Sequence, residues 1–215
     1  MVWTSALAGL GAALLLVQAR NPAADAKARD FVERSRSAIA PGASPAALHS
    51  LVLSGRVRIP QEGSVFDEGH VEIKVLLPDR FNRTDAFGAT VKTSRDRTQF
   101  ARLMLGAVAF LVPAEKLAIR STGEEAFEDT AAVDVVGPSF NARLVFDAPS
   151  MIPMRLTYFE KGAVSTVMSF ADRRLEQGYL LPHRVSTQVP QRVLETLMFD
   201  EILVNPPLTP ADFRP

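Results

Sequence analysis

The sequence predicts a mainly β protein, with ten or eleven antiparallel strands, one helix ahead of them and one helix inserted midway. Three observations lead there. From Leu51 onward apolar residues recur at a spacing of two, most cleanly at Val71, Ile73, Val75 and Leu77 against His70, Glu72, Lys74 and Leu76. Turn-forming groups recur at hairpin spacing through the second half of the chain: Ser121-Thr122-Gly123, Gly137-Pro138-Ser139, Pro149-Ser150, Lys161-Gly162, Gln177-Gly178 and Pro190-Gln191. Two segments alone carry a helical period.

The first helix spans Pro22 to Ile39. Ala24, Ala28, Phe31, Val32 and Ile39 form one stripe, Lys27, Asp30, Arg34 and Arg36 lie opposite, and Pro41-Gly42 ends it. Ser44-Pro45 reads as the cap and first position of a short helical turn reaching His49. Strands follow at Leu51–Ile59, around His70–Leu77 and at Arg80–Phe87. Arg95 to Leu111 then turns helical, with Phe100, Leu103, Met104, Ala107, Val108 and Leu111 at spacings of three and four. Leu105 and Phe110 lie off that stripe and make its second half apolar nearly all round, a surplus that marks a ligand or partner surface. Pro113 ends it. Further strands are expected at about Lys116–Ser121, Glu124–Phe127, Ala131–Val136, Phe140–Asp147, Met154–Phe159, Val164–Ala171, Leu181–Val189 and Val193–Val204.

Composition narrows the function. With 215 residues, 47% hydrophobic and 22% charged, the chain can bury a core within one domain. Zero net charge gives no bulk field toward nucleic acid or an anionic membrane. Residues Met1 to Ala19 carry no charged side chain, and the apolar run Leu7–Val17 precedes Val17-Gln18-Ala19, a small-residue cleavage pattern. The expectation is a signal peptide over residues 1–19 and a single domain over 20–215, exported to the periplasm; an uncleaved N-terminal anchor is the other reading. There is no cysteine, so disulfides, thiol chemistry and lipid modification of a cysteine are excluded.

No catalytic pattern emerges, and the chain is expected not to be an enzyme and to need no cofactor. His49, His70 and His183 have no metal-ligand spacing and read as surface or edge histidines whose replacement costs little stability. No G-x-S-x-G, dinucleotide fingerprint or P-loop occurs. Glu124, Glu125, Glu128 and Asp129 read as a solvated hairpin tip. Arg80, Arg83, Arg95, Arg97 and Arg102 cluster near the start of the inserted helix without interleaved stacking aromatics, which argues against nucleic acid.

What remains is apolar surface. Ala142, Leu144 and Phe146 share one strand face; Val164, Met168 and Phe170 another; Met198 opposes Leu197, Phe199 and Leu203 on the last strand. Two readings stand. One is a plain core under one helix, which spacing alone favours. The other is a sheet curled around a hydrophobic cavity with the inserted helix as lid. The cavity reading assigns ligand contact to Phe100, Leu103, Met104, Val108, Leu144, Phe146, Met168, Phe170 and Met198, with Arg95, Arg97 and Arg102 placed to meet anionic head groups at its mouth.

Several segments resemble the LolA/LolB-like superfamily of lipoprotein carriers. Ala142-Arg143-Leu144-Val145-Phe146-Asp147 followed by Met151-Ile152-Pro153-Met154-Arg155-Leu156 is similar to that family's strand, Asp, turn, Leu-Pro, strand hairpin. Gly178-Tyr179-Leu180-Leu181-Pro182-His183-Arg184 is similar to its Gly-x-x-x-Pro strand entry, and Asn205-Pro206-Pro207-Leu208 with Asp212-Phe213 to its ending. The resemblance implies an open, strongly bent antiparallel β-barrel whose helices close the mouth over acyl chains. The missing cysteine removes the lipid-anchored receptor branch, and the apolar insertion Arg95–Pro113 departs from the best-known carriers. The expected role is a monomeric periplasmic carrier of lipid or lipoprotein acyl chains, with an inner- or outer-membrane protein as a further partner. The alternative is a regulatory sensor that binds a membrane protein. N-terminal sequencing of the protein from its native host tests the export reading: the expected first residue is Arg20, and an intact Met1 on membrane-bound material favours the anchor.

Overall fold

The computed structural model describes residues 22–62, 65–109, 117–122, 129–137 and 140–213. The signal-peptide segment, the expected strand Glu124–Phe127 with most of its acidic tip, and Phe110, Leu111 and Pro113 lie outside them.

Helix α1 (Pro22–Ile39) buries Ala28, Val32, Ser35 and Ile39. A 3-10 turn, Pro45–Ala47, follows. Ser44 precedes it, but its side chain caps nothing; its carbonyl instead accepts from the Tyr179 hydroxyl at 2.7 Å. Strands β1 (Ser50–Pro60), β2 (Phe66–Leu76), β3 (Arg80–Phe87) and β4 (Thr90–Ser94) form a meander. Sequence reasoning passes over β4: its first four residues are exposed, Ser94 is half-buried, and the strand carries no buried-face alternation. Helix α2 (Arg97–Val108) comes next. A second meander completes the chain: β5 (Ala118–Ser121), β6 (Thr130–Val136), β7 (Asn141–Asp147), β8 (Pro153–Glu160), β9 (Ala163–Glu176), β10 (Tyr179–Val189) and β11 (Arg192–Val204).

The eleven strands make one sheet in the order β4-β3-β2-β1-β11-β10-β9-β8-β7-β6-β5, antiparallel throughout the described pairings. This is a ring of consecutive neighbours opened between β4 and β5. Pairing of β1 with β11, through Leu51 opposite Val204 and Leu53 opposite Ile202, joins the two meanders. Strand alternation then gives one apolar face. Val71, Ile73 and Val75 of β2 and Ala131, Val133 and Val135 of β6 are buried, while their neighbours are not.

Side-chain contacts require a strong bend. Phe100 of α2 stacks on Phe81 of β3, with ring centroids 5.8 Å apart, and Arg102 of the same helix lies 3.9 Å over the ring of Tyr158 of β8. Strands β3 and β8 stand six places apart in the sheet, about 29 Å in a flat sheet at ~4.8 Å per strand. A helix only ~10–12 Å across touches both because the sheet curls around it.

One device starts α2 and two tie its end to the elements around it. Asp96 caps α2, its carboxylate accepting from the Thr98 N–H at 2.8 Å. At the other end the helix stops at Ala109 in the left-handed region, whose carbonyl accepts from Arg36 of α1 at 3.0 Å. Arg173 of β9 donates to the carbonyls of Gly106, Ala107, Pro153 and Leu180, tying the last turn of α2 to β8 and β10. No acidic partner faces it among the described residues, and burial lowers its pKa to about 10, so it remains a cation at neutral pH, favourable at a helix C-terminus. Between those anchors Gly106 lets the helix backbone rest on Phe170: a Cβ there would stand 2.0 Å from the ring.

The motifs that suggested the family now have physical reasons. Gly178 has φ +91° and approaches Gly42 so closely that a Cβ would lie 2.8 Å from its carbonyl carbon; the Gly42 N–H donates to the Gly178 carbonyl at 3.2 Å. Asn205 accepts from the His49 and Ser50 N–H groups at 2.9 and 3.4 Å, and its amide donates to the Ala47 carbonyl at 3.0 Å. It thereby stitches the end of β11 to the turn before β1, from a left-handed φ of 55° that Asn tolerates. Asn205→Ala is expected to lower unfolding free energy by about 2–3 kcal/mol in urea titration, from lost hydrogen bonds and a strained Ala, while strand content by circular dichroism stays unchanged.

Candidate functional site

A cavity of about 270 Å³ lies between α2 and the concave face of the sheet. Its apolar wall is Ile73 of β2, Phe81 of β3, Leu103 of α2, Met168 of β9, and Leu194 and Leu197 of β11. Its polar wall is Arg83, Gln99, Arg102, Thr166, Thr187 and Glu195. Strands β9, β10 and β11 contribute residues near the hairpins that join β8 to β9 and β10 to β11, so the cavity belongs to that end of the sheet.

Arg83 spans this end. Its Nη1 and Nη2 donate to the two carboxylate oxygens of Glu195 at 2.9 and 2.6 Å, and its Nε donates to Asp85 at 2.9 Å. Burial alone would lower its pKa, but Glu195 and then Asp85 outweigh that and hold the guanidinium above its usual value. Strands β3 and β11 are three places apart in the sheet, or ~14 Å when flat. The bidentate pair therefore bridges the concavity, and Arg83 is only 7% exposed.

Three residues of α2 face the cavity, Gln99, Arg102 and Leu103, at the i, i+3, i+4 spacing of one helical stripe. The Arg102 guanidinium lies over the Tyr158 ring at 3.9 Å and its Nη1 is 3.4 Å from the Thr166 hydroxyl. Its Nε and the Gln99 Oε1 are buried without a hydrogen-bond partner. A chamber with an apolar wall facing a polar one is suited to holding an amphipathic ligand. Among the described residues no group of three or more His, Cys, Asp or Glu side chains could hold a metal ion, and no helix is long and apolar enough to cross a membrane.

No protein-family model matches the chain, and no curated protein matches it by sequence. Solved structures do match in three dimensions. A LolA superfamily protein from Nitrosomonas europaea superposes with a TM-score of 0.59 over 87% of this chain and 97% of its own, at 9% identity. A domain described as an outer membrane lipoprotein-sorting protein from Vibrio parahaemolyticus gives 0.58 over 86% and 97%, at 13% identity. A DUF1329 family protein from Desulfovibrio piger gives 0.57 over 89% and 97%, at 10% identity. The chain has a LolA-like fold. At these identities the likeness is one of fold.

Within this LolA-like fold the residues expected at a cavity separate into three groups. Leu103 and Met168 line it. Phe100, Met104, Val108, Leu144, Phe146 and Phe170 are buried in the continuous core around it. Met198 is half-buried on the opposite face of β11 from Leu197 and Phe199. The surplus attributed to Leu105 is not exposed either: Leu105 is 1% exposed, because the last turns of α2 are enclosed by β8, β9, β10 and α1 rather than laid across an opening. Of the three arginines expected at the mouth, only Arg102 lines the cavity; Arg95 and Arg97 are exposed beside Asp79, Arg80 and Phe213. Sequence reasoning left out Ile73, Phe81, Gln99, Thr166, Thr187, Leu194 and Glu195, and grouped Arg83 with the surface cations. The signal for Arg83 was available, since it shares the register of Phe81, and a cation on the apolar face of a strand needs a partner.

His183 also departs from expectation. It is 3% exposed, with Nδ1 2.7 Å from the Phe199 carbonyl and Nε2 2.9 Å from Glu176. His49 and His70 are exposed. His183→Ala is expected to cost about 2–3 kcal/mol by chemical denaturation, and the same change at His49 or His70 under about 0.5 kcal/mol.

Proposed function

We propose that this chain is a periplasmic binding or carrier protein that holds acyl chains of lipid or lipoprotein in the concavity beneath α2. Residues 1–19 act as its export signal and residues 20–215 as the single binding domain. The observation that carries the reading is the chamber itself: six apolar side chains converge beside a polar wall, inside a bent sheet. A related fold in a protein described as sorting outer membrane lipoproteins supports the same class of cargo. No catalytic step is invoked.

The energetics suit reversible carriage. Each methylene withdrawn from water gains about 0.8 kcal/mol, so a dozen carbons gain on the order of 10 kcal/mol gross, before ordering costs. At about 270 Å³ the chamber lies just below the ~300–1,000 Å³ range of small-molecule sites. It accepts a segment of chain as it stands, and a longer one when α2 shifts. Leu103 and Met168 are the first contacts; Phe100, Met104, Val108, Leu144, Phe146 and Phe170 become accessible on such a shift, and Met198 stays outside. One copy of the chain supplies every wall, so a monomer suffices, and a membrane partner would give or take the cargo.

Mass spectrometry of molecules extracted from gently purified protein should show acylated species. Lipid-free protein that copurifies with a membrane protein would instead support a sensor role. Leu194 is only partly buried at the cavity wall, so Leu194→Trp should fold normally and fill the chamber. Affinity for a fluorescent fatty acid is expected to fall by about tenfold or more, some 1.4 kcal/mol.

A further inference from the structure

We propose that the ligand's polar end is a carboxylate, received by Arg102 with Gln99 on the α2 wall. The inference rests on the acyl-chain reading above and names the chemistry of the other end of that ligand.

The cavity holds two guanidinium groups in opposite states. Arg83 is saturated, with both oxygens of Glu195 and one of Asp85 in hydrogen-bond range. Arg102 has no acidic partner among the described residues. Its contacts are an aromatic face and one hydroxyl at the limit of hydrogen-bond distance, and its Nε–H is buried with nothing to donate to. One turn earlier the Gln99 Oε1 is likewise buried and unpartnered. A side-chain amide presents oxygen or nitrogen by rotation about its last bond, so Gln99 can supply a donor at the same place.

Buried polar groups in native proteins are seldom left unpaired, and two on one helical stripe beside a cavity point to a missing partner. That partner must be an acceptor for Arg102, carry negative charge to balance it, and offer a second oxygen within reach of Gln99. A carboxylate meets all three conditions. An ester is an acceptor without charge. A phosphate carries up to two charges at neutral pH, more than the one guanidinium left without an acidic partner balances. The apolar side chains Leu103, Met168 and Leu197 line the same chamber, as an attached hydrocarbon requires.

The test compares cis-parinaric acid with its methyl ester by fluorescence titration of the full domain, with lysophosphatidic acid as competitor. Wild type should bind the acid about tenfold or more tightly than the ester. Arg102→Gln should bring the acid down to the level of the ester, costing the acid about tenfold more than it costs the ester; Gln99→Leu should narrow the gap by less. Arg102→Lys keeps the charge and should retain most of the preference. If Arg102→Gln does not fold, the ratio in Gln99→Leu and Arg102→Lys decides. Equal binding of acid and ester by wild type, a parallel loss of both in the variants, or no change of ratio in Gln99→Leu overturns the carboxylate assignment and leaves the acyl-chain reading standing. Displacement by lysophosphatidic acid at lower concentration than by fatty acid, dependent on Arg102, overturns it in favour of a phosphate. Failure of wild type to bind acid, ester or lysophosphatidic acid defeats the acyl-chain reading, and this inference with it.

Discussion

The arrangement of this molecule depends on how one short helix is held inside a bent sheet, and the Arg173 guanidinium does most of the holding. It reaches from β9 to carbonyls of α2, β8 and β10 at once. A cation serves here better than a neutral donor would. The last carbonyls of a helix carry partial negative charge, and five N–H groups on a planar fork can serve several of them. With the C-terminal turn of α2 fixed and the Gly106 backbone seated on Phe170, the N-terminal turns of the helix face the strands that approach from the other side of the curl. The cavity is what remains where helix and sheet do not meet.

The helix is therefore a plug as much as a cover. Its connection runs from edge strand β4 to edge strand β5, the two strands that would have to pair for the ring to close. Enclosure of its last turns explains why an apolar surplus in sequence ends as buried surface. It also explains the division of labour along the helix. The stripe of Phe100 and Met104 is core, while the stripe of Gln99, Arg102 and Leu103 faces the chamber.

Much of the fold was legible in the sequence because its physical determinants are local. The strict alternation of β2 and β6, the turn chemistry of Gly178 and the helical stripe of α1 are each written within a dozen residues. Strand β4 was not legible, because an exposed edge strand buries nothing and leaves no period to read. The cavity was harder for a different reason. Its walls come from β2, β3, α2, β9, β10 and β11, brought together only by the bend, and alternation reveals which residues turn inward without revealing which inward residues lack a neighbour. Phe146 and Met168 look alike in sequence, yet one is in the packed core and the other lines the chamber. The bidentate bridge from Arg83 to Glu195 joins residues 112 positions apart, a separation that no motif records.

The pairing of the first strand with the last has a consequence for how the chain acquires its structure. Each meander is built from contacts between consecutive strands and can form as its residues become available. The seam between them cannot form until residues near Val204 are present. Until then the chain has two sheets and four unpaired edges instead of one sheet and two, with apolar faces uncovered on both. The slow and vulnerable step is thus the docking of β11 on β1. A truncation that removes only the last strand would leave two half-sheets prone to pair with other copies, a larger loss than its share of the core suggests.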